Sequence, residues 1–277
     1  MNTIDFKSYA KLNLHLRITG REEHRYHLLQ MLSIRISLFD QIQLSIGENV
    51  EKTQIFTNPT VPISLEKNLV YKAIKVYWKG KPPEVMVRIQ KNIPIEAGLG
   101  GGSSNAASTL LALNKLYRMY TPQELSDISF QIGCDVPFFL ENNECIVTGM
   151  GEKIQTSHYL DTLYHFVIVK PAIALSTQSV YQKWDQLLLP FSDPITFSHE
   201  NVLSFHNDLL IPAKYLAPVL TPLLEDIQFT SPIGFSMTGS GSACFGCYAS
   251  YEEAVKAMDS LSTRYPYVKI VSNFIDD

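Results

Sequence analysis

The stretch that most restricts the fold is AGLGGGSSNAAS, Ala97 to Ser108, where four of the fourteen glycines fall between Gly98 and Gly102. EVMVRIQKNIPI before it reads as a strand that delivers the chain into the loop. SSNAASTLLALNKLY after it reads as a helix from about Ser103 to Tyr117. A backbone without Cβ atoms can turn its N–H groups inward and let an anion come close. A helix start adds unpaired N–H groups and a positive dipole end, each interaction contributing about 0.3–1 kcal/mol at an exposed site. Ser103, Ser104 and Asn105 add polar groups there. A flexible linker is a poor reading, because linkers are not flanked directly by a strand and an apolar helix. Strand, glycine loop and helix together read as a phosphate cradle. The loop lacks the lysine that ends G-x-x-x-x-G-K-[ST], so its positive charge must come from elsewhere.

The chain has 277 residues, enough for one compact unit or two closely joined lobes. A lobe boundary is expected near residue 156, dividing residues 1–156, which carry the phosphate loop, from 157–277. A formal net charge of −4 with no basic block argues against nucleic acid as the main partner. No run of about eighteen apolar residues occurs, so no membrane span is expected. The N-terminal MNTIDFKSYAKLNL does not read as a secretion signal, and a cytoplasmic location is expected. Cys134, Cys145, Cys244 and Cys247 include a C-x-x-C in SACFGCY. That segment reads as a strand, on which residues three apart point to opposite faces, so buried inert thiols are expected rather than a zinc or redox site.

YAKLNLHLRI alternates strictly, with Leu12, Leu14, Leu16 and Ile18 on one face and Lys11, Asn13, His15 and Arg17 on the other: a half-buried strand. MLSIRISLFD and QIQLSI read as two strands joined around Asp40 and Gln41. LEKNLVYKAIKVYWK has helical spacing. Thr121, Pro122 and Glu124 form a helix-start signature, and Gly133 reads as the stop. VPFFL and CIVTG read as strands around the ENNE turn. YHFVIVKP reads as a strand, and a helix begins at Ser176 or Thr177. Residues 189–206 read as irregular, with helices resuming between Asp208 and Asp226. IGFSMTGSGSACFGCY reads as strand, glycine turn, strand. A second capping box, Ser250 to Glu253, opens a helix, and YVKIVSNF closes a sheet. Without regular β-α-β alternation, the expected class is α+β.

Two more glycine stretches, MTGSGSACF (Gly239, Ser240, Gly241) and GMGE (Gly149–Glu152), suggest several backbone loops meeting one polyanion. Phosphoryl transfer also needs a group to take or steer the hydroxyl proton and a cation to offset the phosphates. Asp135 in GCDVPFF is a candidate for the first, with a simple turn cap as the equal alternative. Lys11 is a candidate for the second, with a solvated strand face as the alternative.

AKLNLHLRITGREEHRYHLLQML, IPIEAGLGGGSSNAA and SMTGSGSACFG resemble, in order and spacing, the GHMP kinase superfamily. AKLNL followed by YH and GCDVPFF is similar to the branch acting on a cytidine diphosphate-linked polyol, rather than to mevalonate, homoserine or galactose kinases. The resemblance spans nearly the whole chain. It implies an N-terminal lobe like ribosomal protein S5, a ferredoxin-like C-terminal lobe, and ATP and substrate between them. It implies an enzyme, a small-molecule kinase using ATP and Mg2+, on the non-mevalonate route to isoprenoids.

Carried over by position, the resemblance makes Asp135 the catalytic aspartate and Lys11 the lysine that keeps it ionised. It gives the ATP phosphate loop to Pro94, Ile95, Glu96, Ala97, Gly98, Leu99, Gly100, Gly101, Gly102, Ser103, Ser104 and Asn105, and the adenine side to Asn68 and Lys91. The substrate falls to Asn13, Tyr26, His27, Thr177, Tyr181, Gly239 and Ser240, with cytosine sandwiched between Tyr26 and Tyr181. Stacking of that kind is worth about 1–3 kcal/mol per base. Two departures stand out: Arg25 replaces the usual glycine before YH, and Glu96 is acidic where small residues are common. No acidic pair has the spacing of a metal site, and the oligomeric state is left open. The alternatives are a GHMP kinase for another alcohol, or an inactive ligand-binding regulator of the same fold.

Overall fold

The structure is a computed structural model that describes residues 2–22, 26–47, 53–80, 84–141 and 144–273. Arg25 and the Asn142–Asn143 tip of the ENNE turn lie outside the described residues. The chain forms two compact units, each assembled from separated segments. One comprises Met1–Ala10, Leu38–Ile93 and Gly100–Asn142; the other comprises Lys11–Ser37, Pro94–Leu99 and Asn143–Asp277. Two long strands, β1 (Asn2–Arg21) and β2 (His27–Ile46), contribute residues to both.

In the first unit the end of β2 pairs antiparallel with β4 (Val85–Gln90), which pairs parallel with β3 (Gln54–Asn58). Helices α1 (Leu69–Tyr77), α2 (Gly101–Tyr117) and α3 (Pro122–Phe130) pack on one another. Val70, Ile74, Tyr77, Leu110, Leu113 and Leu125 fill their interface. Full burial of each such side chain stabilises by about 1.5–3 kcal/mol. The Tyr77 hydroxyl, buried with its ring, donates to the Leu113 carbonyl at 3.2 Å. The capping box at Thr121 and Glu124 forms as the sequence implies. The helix ends at Phe130, and the Gly133 N–H reaches the Ser129 carbonyl at 3.4 Å.

In the second unit the start of β2 pairs with β5 (Glu144–Gly149), and β5 pairs with β6 (Lys153–Thr156). Strand β7 (His165–Lys170) is followed by α4 (Thr177–Gln186), the short β8 (His206–Asn207), α5 (Leu210–Leu216) and α6 (Leu220–Phe229). Then come β9 (Gly234–Met237), β10 (Cys244–Tyr248), α7 (Tyr251–Ser262) and β11 (Tyr267–Ser272). The four strands β11-β7-β10-β9 are antiparallel, with α6 and α7 packed against them. This is the β-α-β-β-α-β arrangement of a ferredoxin-like sheet. The Ser250–Glu253 capping box opens α7.

Four expectations change. Residues around Asp40 do not turn: β2 runs straight through as one strand, because the Asp40 carboxylate is fully buried and finds backbone donors elsewhere. VPFFL is not a strand; Pro137–Leu140 is a 3-10 helix with proline at its first turn. The polar face of β1 is not solvated: Lys11, Asn13 and His15 are all buried. Of the cysteines, Cys145, Cys244 and Cys247 are buried free thiols, with burial pushing Cys244 and Cys247 up, but Cys134 is exposed.

His15 shows what that buried face costs. Its Nε2 faces the Val202 carbonyl at 3.1 Å, so the proton sits there; among the described residues the buried Nδ1 has no partner, and a second proton would be stranded. Burial, helped by the positive field of Arg17 and His206 and opposed by the Val202 carbonyl, pushes His15 down to about 4. Between pH 6.5 and 4 the unfolded chain takes up a proton that the folded chain refuses, so stability falls as pH falls through that window. The loss approaches about 3 kcal/mol at pH 4. Urea midpoints measured from pH 7 to pH 4 should fall less steeply for His15→Gln than for the parent chain; equal slopes would remove His15 from this role.

Candidate active site

The glycine loop is held by backbone hydrogen bonds at Ala97 and Leu99. Within the second unit, the Lys11 N–H donates to the Leu99 carbonyl at 3.0 Å and the Ala243 N–H donates to the Ala97 carbonyl at 3.2 Å. Gly98 is left-handed at φ 74°, and a Cβ on it would overlap the Thr238 carbonyl oxygen. Gly239, at φ 55°, returns the contact: a Cβ there would lie 2.9 Å from the Gly98 carbonyl oxygen. Each glycine is required by both backbone shape and space. Two glycine stretches far apart in sequence therefore touch, as the expectation of converging loops needs. Thr238 Oγ1 accepts from the Asn13 N–H at 3.0 Å, and the Asn207 side-chain amide donates to the carbonyls of Met237 (2.7 Å) and Gly239 (2.9 Å). Thr177 and the buried Ser240 meet hydroxyl to hydroxyl at 2.9 Å.

The third glycine stretch does not join them as an anion site. Its turn is filled by its own acid: Glu152 accepts from the Met150 N–H at 2.6 Å and occupies the space beside Gly149, itself left-handed.

In the first unit Gly100 is the left-handed N-cap and α2 begins at Gly101, two residues earlier than the sequence suggests. The Ser104 N–H is the first to find a carbonyl one turn back, that of Gly100 at 2.8 Å. The N–H groups of Gly101, Gly102 and Ser103 have no such carbonyl inside the helix. The Ser104 hydroxyl donates to the Tyr9 carbonyl at 2.6 Å, and Ser8 donates to Asn105 Oδ1 at 2.8 Å. These two buried side chains fasten α2 to β1, and Ser103 is half-buried beside them. Asn68 caps α1 through the Val70 N–H at 2.9 Å.

A cation, Lys91, stands beside this helix start. Its ammonium lies 3.6 Å from where a Gly101 Cβ would be, and it is ion-paired with Asp40. Asp40 Oδ1 also accepts the N–H groups of Asn92 (2.7 Å) and Ile93 (2.9 Å), locking the end of β4 where it enters the loop. Sequence reasoning missed Asp40 because an aspartate inside an apolar run reads as a turn.

Lys11 is 5 % exposed and donates to Asn13 Oδ1; Asn13 in turn donates to Ser33 Oγ at 2.8 Å. Asp135 is half-buried in the turns between α3 and the 3-10 helix, with the buried Ile132 and Val136 on either side in sequence. Glu96, exposed and left-handed at φ 51°, carries its charge within reach of Lys170, whose pKa burial lowers and Glu96 raises in part. Pro94 is half-buried and Ile95 is exposed beside it.

At the end of β1 and start of β2, His27 faces Tyr181 at 4.9 Å between ring centroids and meets the Trp184 edge at 5.2 Å. Tyr26, its neighbour in sequence, is 60 % exposed. Asp185 joins this group through His27 and Arg21, neither link foreseen from sequence. Among the described residues no group of three or more His, Cys, Asp or Glu could hold a metal ion, and no helix is long and apolar enough to cross a membrane.

Residues 68–142 match the family model described as the GHMP kinases N terminal domain. Two curated relatives are each named 4-diphosphocytidyl-2-C-methyl-D-erythritol kinase. That of Syntrophus aciditrophicus (strain SB) is 34% identical over 261 residues, covering 90% of this chain and 91% of its own. That of Alkaliphilus metalliredigens (strain QYMF) is 33% identical over 286 residues, covering 99% and 98%. The crystal structure of a 4-(cytidine 5'-diphospho)-2C-methyl-D-erythritol kinase matches with a TM-score of 0.81 at 29% identity, over 97% of this chain and 98% of that one. Fold and comparisons together define an α+β small-molecule kinase of the GHMP type, for which ATP is the phosphoryl donor. Within that class, the chain belongs to the family of 4-diphosphocytidyl-2-C-methyl-D-erythritol kinases.

Proposed function

We infer that the chain transfers the γ-phosphoryl group of ATP to the 2-hydroxyl of 4-(cytidine 5′-diphospho)-2-C-methyl-D-erythritol, a step of non-mevalonate isoprenoid biosynthesis. The observation that carries this reading is near-full-length identity to kinases bearing that substrate's name. In this reading residues 1–156 carry the ATP-binding groups, and residues 157–277 add Thr177, Tyr181, Gly239 and Ser240 to the substrate contacts.

The loop from Pro94 to Gly102 and the first N–H groups of α2 cradle the phosphates, and Asn68 and Lys91 meet the adenine side. Asp135 receives the hydroxyl proton late in a loose phosphoryl-transfer transition state. Lys11 offsets the charge that develops there. Mg2+ bound with the nucleotide would supply positive charge against the phosphates and would be held mainly through them. A dedicated protein cage would therefore not be required. Tyr26, His27 and Tyr181 hold the cytosine, and Asn13, Thr177, Gly239 and Ser240 meet the rest of the substrate.

Purified protein given ATP, Mg2+ and this substrate should release ADP and give a new phosphomonoester resonance in the 31P spectrum. ADP formation with mevalonate or homoserine, but not with the cytidine compound, would overturn the assignment.

A further inference from the structure

Resting on the reading of Tyr26, His27 and Tyr181 as the base site, we propose that Asp185, backed by Arg21, is a positioning residue. It fixes the His27 ring with its proton on Nε2, so that a bare Nδ1 faces the substrate's base and selects an amino-bearing pyrimidine over an oxo-bearing one.

His27 Nε2 lies 2.8 Å from Asp185 Oδ1. An ionised carboxylate can only accept, so at that distance the ring nitrogen must carry the proton. Arg21 Nη2 pairs with the same Oδ1 and sits 3.3 Å from His27 Nε2. Two donors thus converge on one oxygen, and a bare Nε2 would turn its lone pair onto the carboxylate. The ring plane is fixed as well. Tyr181 lies over it at 32° and Trp184 meets it at 84°. Tyr181, Trp184 and Asp185 stand three and four residues apart on α4, the spacing that lines up one helix face. The His27 side chain is 9 % exposed, and among the described residues its Nδ1 has no hydrogen-bond partner. In a neutral ring with Nε2 protonated, Nδ1 is an acceptor and nothing else. It satisfies a 4-amino group such as that of cytosine and repels the 4-carbonyl of uracil. A buried acceptor left facing another acceptor is the more costly failure.

A plain surface ion pair would explain the Arg21–Asp185 contact equally well, so the test must read more than stability. Asp185 is 35 % exposed, and its replacement should leave the fold intact. The experiment measures competitive binding of CDP and UDP, steady-state kinetics and the imidazole 15N–1H spectrum of His27. The parent chain, Asp185→Leu and Asp185→Asn are compared. The parent should bind CDP at least about tenfold more tightly than UDP and show the Nε2–H tautomer. Asp185→Leu should lose most of that ratio and show mixed tautomers. Its KM should rise about tenfold while kcat stays within about twofold. Asp185→Asn, whose amide oxygen still accepts from Nε2–H, should restore the ratio.

A parent chain without preference for CDP would overturn the base-site reading and this proposal with it. A parent preference that survives unchanged in Asp185→Leu, or a parent ring protonated on Nδ1 alone, would overturn the positioning role and leave the base site standing.

Discussion

Asp135→Asn should lower kcat by about three orders of magnitude while leaving the fold and nucleotide binding in place. The side chains are nearly the same size, and among the described residues Asp135 has no hydrogen bond or ion pair to lose. In the proposed reaction its carboxylate serves the substrate rather than the fold. The amide cannot take the hydroxyl proton, so the loss belongs to the transition state and should fall on kcat with KM for ATP little changed. Single-turnover measurements with saturating ATP check this. A variant that retains a tenth or more of the parent rate would remove Asp135 from the reaction.

Asp40→Ala should be the most destabilising single change at the site, by about 3–5 kcal/mol. It strands the Lys91 ammonium, which is 10 % exposed, and leaves the Asn92 and Ile93 N–H groups without their acceptor. Removing one partner of a buried pair costs far more than removing both, so Asp40→Leu combined with Lys91→Met should recover part of the loss. The two backbone donors would still be unpaired, which bounds the recovery. Denaturant midpoints for the single and double variants measure this. A single variant within about 1 kcal/mol of the parent would show that water or a shifted backbone takes over the acceptor's place.

What could be read from the chain was mostly local. Capping boxes at Thr121 and Ser250 depend on residues three apart, and both formed. The glycine loop declared itself because a strand and a helix flank it within a dozen residues. What could not be read was set by distant partners. Asp40 looks like a turn until the N–H groups of Asn92 and Ile93, fifty positions away, are seen to complete it. Lys11, Asn13 and His15 look like a wet face until Leu99, Ser33, Thr238 and Val202 cover them. VPFFL illustrates a different limit: five apolar residues carry no period that separates a strand from one turn of helix. The proposal of Tyr26, His27 and Tyr181 as substrate-side residues came from the family's pattern. The Asp185 link did not, because a half-buried helical aspartate has no signature until its partner is known.

The contact between Gly98 and Thr238–Gly239 has a consequence for how the molecule comes into being. One wall of the loop is set at Leu99 by Lys11, which leaves the ribosome early. The other wall, against Ala97 and Gly98, is made by residues 238–243, which leave it near the end of synthesis. Domains generally fold as units while the chain grows, but this loop waits for its second wall. A nascent chain, or one truncated before residue 243, carries the glycines without the surface that shapes them.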